Sequence, residues 1–175
     1  MPTISFANPK GGAGKTTAAL LLATQLARKG ASVVAIDADP EKWLTQRSQL
    51  PGKPAGLSVR SDVDEETILD RIDEAAASAQ FVVVDLEGTA NMIVADAISL
   101  SDFVIVPTQG ASMDAKAAAK TVRLIQRQER KARRSIHFAI LLTRTNAAVT
   151  TRAMRNVQNQ LSSANLDVFD TQLTE

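Results

Sequence analysis

Ala7-Asn8-Pro9-Lys10-Gly11-Gly12-Ala13-Gly14-Lys15-Thr16-Thr17 is the stretch whose reading decides the fold. A short apolar run, Ile4–Ala7, leads into it, and an alanine- and leucine-rich stretch, Thr16–Lys29, leads out. Strand, glycine-rich turn and helix therefore arrive in register. Glycines let backbone N–H groups curl around phosphate oxygens, and the following helix N-terminus adds a positive dipole. Gly11, Gly12, Ala13, Gly14, Lys15, Thr16 and Thr17 are the candidate phosphate cradle. In it Lys15 reaches the β- and γ-phosphates of a nucleotide, and the Thr16 hydroxyl ligates Mg²⁺. The strict phosphate-loop pattern asks for a glycine, four residues, then Gly-Lys-Ser/Thr. Here Pro9 stands at the first glycine's place, and Lys10 adds a second cation at the mouth of the loop.

Outward from the loop, β-branched runs alternate with amphipathic stretches. Val33–Asp37, Phe81–Asp85, Phe103–Val106 and Ile136–Leu142 read as further buried strands. Thr16–Lys29 reads as a helix closed by Gly30, and Asp64–Ala79 as a helix with acids in its first turn. Met113–Arg134 and Thr150–Ser163 read as two more, Leu50–Ser61 as a loop with a short edge strand at Leu57–Arg60, and Leu166–Asp170 as a late strand. Strands separated by helices predict an α/β fold, a mostly parallel twisted sheet with helices on both faces. No repeat or long linker divides the chain, so a single domain over residues 1–175 is expected.

Apolar residues are 45% of the 175, which suffices for a globular core. Cysteine is absent, excluding disulfides, thiolate-held metal and thiol catalysis. His137 is the one histidine, and its place at a strand start reads as structural. Neither a membrane-spanning run nor a signal-peptide core is visible, so a cytoplasmic protein is expected. The net charge of +1 conceals an asymmetry. Residues 1–109 carry 9 Lys/Arg against 14 Asp/Glu, residues 110–155 carry 11 against 2, and residues 156–175 none against 3. In the basic block, Lys116, Lys120, Arg123, Arg127, Arg130 and Arg134 recur at helical spacing. On one helix they would fall within about 80° of each other along ~27 Å. Such a row suits a phosphate backbone, and the scarcity of aromatics argues against base stacking.

Two carboxylates end strands. Asp85 closes Phe81-Val82-Val83-Val84 and is placed to hold Mg²⁺ through water beside Thr16. Asp39, in Asp37-Ala38-Asp39-Pro40, suits the N-cap of a helix starting at Pro40. Asp37 reads as support for the loop or for the metal's outer shell. Trp43 reads as a packing residue on the helix that follows.

The opening Ile4-Ser5-Phe6-Ala7-Asn8-Pro9 with the loop, and Ile36-Asp37-Ala38-Asp39-Pro40, resemble the deviant Walker A ATPases of the ParA/MinD class. These have a SIMIBI-type P-loop NTPase fold. Within the class the likeness is to short plasmid-partition ParA proteins of the ParF type and to VirC1-type proteins. The resemblance implies ATP and Mg²⁺ as cofactors and a homodimer formed on ATP. It gives Lys10 the role of crossing to the partner subunit's ATP, and Asp39 that of positioning the attacking water, so that Lys10, Lys15 and Asp39 are the catalytic set. It further implies nonspecific DNA binding, a nucleoid-associated location and weak hydrolysis stimulated by a ParB-like centromere-binding protein; no membrane contact is expected, since a MinD-type membrane role would need a C-terminal amphipathic helix. Asp114 would lie near the dimer interface, and Thr143-Arg144-Thr145-Asn146 near the adenine. The chain departs from the pattern at Leu86-Glu87-Gly88-Thr89, where the class has Thr-Pro-Pro-Gly or Gly-Ala-Gly; Glu87 reads as solvated. Glu41 stands where glutamine is usual, and the chain stops at Glu175 without the C-terminal helices usual in the class. The alternatives are a VirC1-like accessory ATPase of DNA processing and transfer, a nucleotide-binding scaffold with weak hydrolysis, and a metabolic enzyme such as dethiobiotin synthetase.

Overall fold

The phosphate loop joins a strand, β1 (Thr3–Phe6), to a helix, α1 (Lys15–Arg28), and every later element is laid out around that pair. The structure is a computed structural model that describes residues 1–89, 91–110, 112–146 and 152–174. In chain order there follow β2 (Val33–Ala38), α2 (Trp43–Ser48), β3 (Leu57–Arg60), α3 (Ile68–Ser78) and β4 (Phe81–Leu86). Then come α4 (Met92–Leu100), β5 (Phe103–Thr108), α5 (Ser112–Ala132), β6 (His137–Thr145), α6 (Arg152–Ser163) and β7 (Leu173–Thr174).

The strands form one seven-stranded sheet in the order β3-β2-β4-β1-β5-β6-β7. Every pairing is parallel, so the α/β sheet expected from the sequence is present. The chain moves one way from β1 through β2 to β3, then returns across the sheet. Right-handed crossovers therefore put α1 and α2 on one face and α3 to α6 on the other. The two core clusters match this division. Ala18, Ala19, Ala23 and Leu44 pack on one face, and Ile72, Ile98, Ile125 and Leu161 on the other. The direction reverses beside β1, and crevices at such a reversal, at the carboxyl ends of strands, are where open α/β sheets bind ligands.

Four local expectations need correction. Helix α4 went unseen because Met92-Ile93-Val94-Ala95 is apolar without a polar face. Its start signal is Asn91, whose side chain accepts from the Val94 N–H at 3.1 Å. Helix α2 starts at Trp43, so Asp39 does not cap it; Lys42 holds the N-cap position in a left-handed conformation with φ 52° and makes no capping bond. Strand β6 runs on to Thr145, so Thr143 and Arg144 belong to a strand. The strand expected at Leu166–Asp170 reduces to a single bridge between Val168 and Ile140, and pairing resumes at β7.

The basic row also loses its last member. Helix α5 ends at Ala132, Arg133 turns left-handed with φ 54°, and Arg134 leaves the helix. Its guanidinium donates to the Ser99 carbonyl at 2.7 Å and the Ser101 carbonyl at 2.8 Å, satisfying acceptors at the C-terminus of α4. Arg134→Gln is therefore expected to cost about 1 kcal/mol in a denaturant titration. An unchanged midpoint would return Arg134 to the row.

Candidate functional site

The loop is shaped by two glycines and held from three sides. Gly12 and Gly14 have φ of 73° and 93°, values that side chains disfavour, and Gly14 opens α1. Thr143 of β6 packs against Gly14 and donates its hydroxyl to the Ala13 carbonyl at 2.8 Å. Gln109 donates to the Gly12 carbonyl at 2.6 Å. Asn8 is clamped between the Pro107 carbonyl, at 2.6 Å, and the Lys10 N–H, at 2.8 Å. With α1 beginning at Lys15, the N–H groups of its first turn have no partner inside the helix and point at the crevice.

Behind the loop lie three buried ionisable groups. Asp85 is fully buried, and among the described residues neither carboxylate oxygen has a hydrogen-bond partner of good geometry. Burial pushes its carboxyl up to about 7, against the pull of the Thr16 hydroxyl and the Lys15 charge. Lys15 is 6% exposed; burial lowers its ammonium, and Asp85, Asp39 and Glu87 pull it back up. Asp37 sits opposite Asp85 in the β2–β4 register. One of its oxygens takes the Thr45 N–H at 2.7 Å and hydroxyl at 2.6 Å, while the other is buried with no hydrogen-bond partner among the described residues. Orphaned carboxylate oxygens beside a threonine hydroxyl are the donor set of a hard divalent cation, so the residues fit Mg²⁺.

The second loop over the crevice follows Leu86, the last residue of β4. Gly88 approaches so closely that a Cβ there would lie 3.4 Å from the Pro9 carbonyl oxygen and 3.6 Å from the Lys15 ammonium. Glu87 is not simply solvated: it accepts from the side chains of Thr89 and Asn91 and faces Lys15.

A cleft of ≈ 420 Å³ runs along the loop, bordered by Asp39, Glu41, Trp43, Arg47, Gly88 and Arg144. Its size suits a nucleotide. Asp39 is in place beside the loop, where its carboxylate also accepts the Glu41 N–H at 3.0 Å. Trp43 is 50% exposed and borders the cleft, so it is no packing residue. Arg144, expected near the adenine, borders the cleft, whereas Arg47 was not singled out. The i, i+4 spacing of Trp43 and Arg47 just after Asp39-Pro40 was the available sign. Lys10 does not enter the cleft; its ammonium forms an ion pair with Asp114, which is buried in the first turn of α5. Farther along α5, Lys116, Lys120, Arg123, Arg127 and Arg130 are exposed, and Ala118, Val122 and Ile125 are buried.

The sequence and the fold have known counterparts. The family model of the VirC1 protein matches residues 1–175, the whole chain. The chain belongs to that family, within the ParA/MinD-type ATPases. Protein ParA of Rhizobium radiobacter is 33% identical to this family member over 175 residues, covering all of it and 79% of the relative. Among solved structures, the ATP complex of Cyanothece McdA(D38A) superposes with a TM-score of 0.83 at 17% identity, over 97% of this chain and 82% of that one. Cobyrinic acid a,c-diamide synthase from Mycobacterium smegmatis, with bound ADP and magnesium, gives 0.81 at 17% identity, over 99% and 86%. At such identities the likeness carries the fold alone.

Proposed function

We propose that this VirC1-family chain is a Mg²⁺-dependent partition ATPase that dimerises on ATP, binds DNA without sequence preference in that state, and is switched off by hydrolysis. The observation that carries the reading is the double attachment of α5. Its first turn holds Asp114 against Lys10 of the phosphate loop, and its exposed face carries Lys116, Lys120, Arg123, Arg127 and Arg130. A nucleotide that draws Lys10 away thus acts on the element that bears the basic row.

In this reading Gly11 to Thr17 cradle the phosphates, and Lys15 neutralises the β- and γ-oxygens. Thr16 and Asp85 would hold Mg²⁺, with Asp37 beside them. Bound there, the ion supplies charge neutralisation at the transferring phosphoryl group. Asp39 orients the attacking water from the cleft wall. Lys10, released from Asp114, reaches the partner subunit's nucleotide. A centromere-binding protein of ParB type would stimulate turnover. The match to the VirC1 family model favours a second reading, an accessory ATPase of DNA processing that uses the same site on one DNA element.

Charge reversal tests the DNA half. Arg123→Glu, Arg127→Glu and Arg130→Glu together are expected to weaken duplex binding and to lower the log K against log[salt] slope by about 2–3. ATP affinity should not change. An unaltered slope would make the row a solvated face.

A further inference from the structure

Helix α2 has six residues, yet it is fastened at three points. Leu44 and Ser48 are buried beneath it. The Thr45 N–H and hydroxyl both bond one Asp37 carboxylate oxygen, at 2.7 and 2.6 Å, and the Lys42 ammonium bonds the Asp37 carbonyl at 2.9 Å. Asp37 is itself paired in register with Asp85. The helix is therefore fixed relative to the two strand-end carboxylates. What it presents to the cleft is Trp43 and, one turn later, Arg47.

Arg47 is exposed, and among the described residues its guanidinium takes part in no ion pair. The cleft has two ends. Arg144 stands at the β6 end, where Thr143 packs on Gly14. Arg47 stands at the β2 end, with Asp39 and the carboxylates that face Thr16 and Lys15. A triphosphate laid along the loop has its terminal phosphate where Lys15, Thr16 and the acids converge, which is Arg47's end. Lys10 is turned away onto Asp114, so the loop's own second cation does not serve that end in the single chain.

We infer that Arg47 donates, within its own subunit, to the terminal phosphate of the bound nucleoside triphosphate, with Trp43 covering the same end. This rests on the nucleotide reading of the cleft. A guanidinium offers two parallel N–H bonds to a phosphate and keeps its charge at any working pH. It stabilises the charge that gathers on the transferring phosphoryl oxygens. Since a diphosphate lacks that group, Arg47 is a determinant of triphosphate over diphosphate, and thereby of the switch itself.

The test is calorimetric titration of the full chain with Mg·AMPPNP and Mg·ADP, for wild type, Arg47→Ala and Arg47→Lys. The expected result for Arg47→Ala is an about 10- to 100-fold loss of AMPPNP affinity with ADP affinity changed less than about threefold, and partial recovery in Arg47→Lys. Equal losses for both nucleotides, or none for either, overturn the inference. Trp43 is the only tryptophan, so wild-type emission gives an independent reading. A change with AMPPNP that ADP does not produce supports the assignment, and the same response to both counts against it. A wild-type chain that binds neither nucleotide overturns the ATPase reading first and this inference with it.

Discussion

Lys15→Ala is expected to lower ATP affinity more than about 100-fold and to abolish ATP-induced dimers. The ammonium is buried at the start of α1, and Asp85, Asp39 and Glu87 surround it with negative charge. Polyphosphate entering this crevice without it would meet those carboxylates uncompensated, and a desolvated charge–phosphate contact is the strongest kind of hydrogen bond available here. Lys10→Ala is the matching control. Lys10 pairs with Asp114 outside the cleft, so its loss should leave binding nearly intact and remove dimers alone. Sedimentation with and without ATP reads both. Dimers of normal affinity in Lys15→Ala would remove the loop from the mechanism, and equal loss of binding in the two variants would refute a cross-subunit role for Lys10.

Asp85→Asn is expected to change stability and metal response in opposite directions. The Asp85 carboxyl stands at about 7 in the folded chain, against 3.8 for an unburied aspartate. Between these values the folded chain holds a proton that the unfolded chain has released. Stability therefore falls as pH rises from about 4 to about 7, and is level above that window, by at most about 4 kcal/mol. An amide in place of the carboxyl would keep the shape without the charge. The variant should be more stable than wild type at pH 8 in the absence of Mg²⁺, and close to it near pH 4. It should also lose the stabilisation that Mg²⁺ with ATP gives wild type, which itself should grow as pH rises towards 7 and the proton is shed. Denaturant midpoints at the two pH values, with and without Mg²⁺, check this. Equal destabilisation at both would mean that Asp85 is structural and ionised throughout.

The loop, the parallel sheet and the strand-end carboxylates were legible because each follows from spacing a few residues long. Gly14-Lys15-Thr16 needs only a strand before it and a helix after it. Asp85 needs only the apolar run that ends on it. Local pattern failed where tertiary contacts choose. Helix α4 lies between α3 and α5 and has only Asp96 and Ser99 as polar residues, too few to mark a period. Arg134 fits the helical row in spacing, yet its hydrogen bonds go to Ser99 and Ser101, more than thirty residues earlier in the chain. The Lys10–Asp114 pair spans 104 residues and could not be read from either end. Trp43 and Arg47 border the cleft because Asp37 anchors α2 through Thr45, a contact that only the fold discloses.

A nucleotide switch that governs DNA binding would show in the wild-type chain without any partner protein. Its most direct test is the affinity of the wild-type chain for random-sequence duplex DNA with ATP, ADP or no nucleotide across a salt series. Tight binding is expected with ATP alone, with log K falling linearly as log[salt] rises. Binding that is equal in all three states, or absent from all of them, would contradict it.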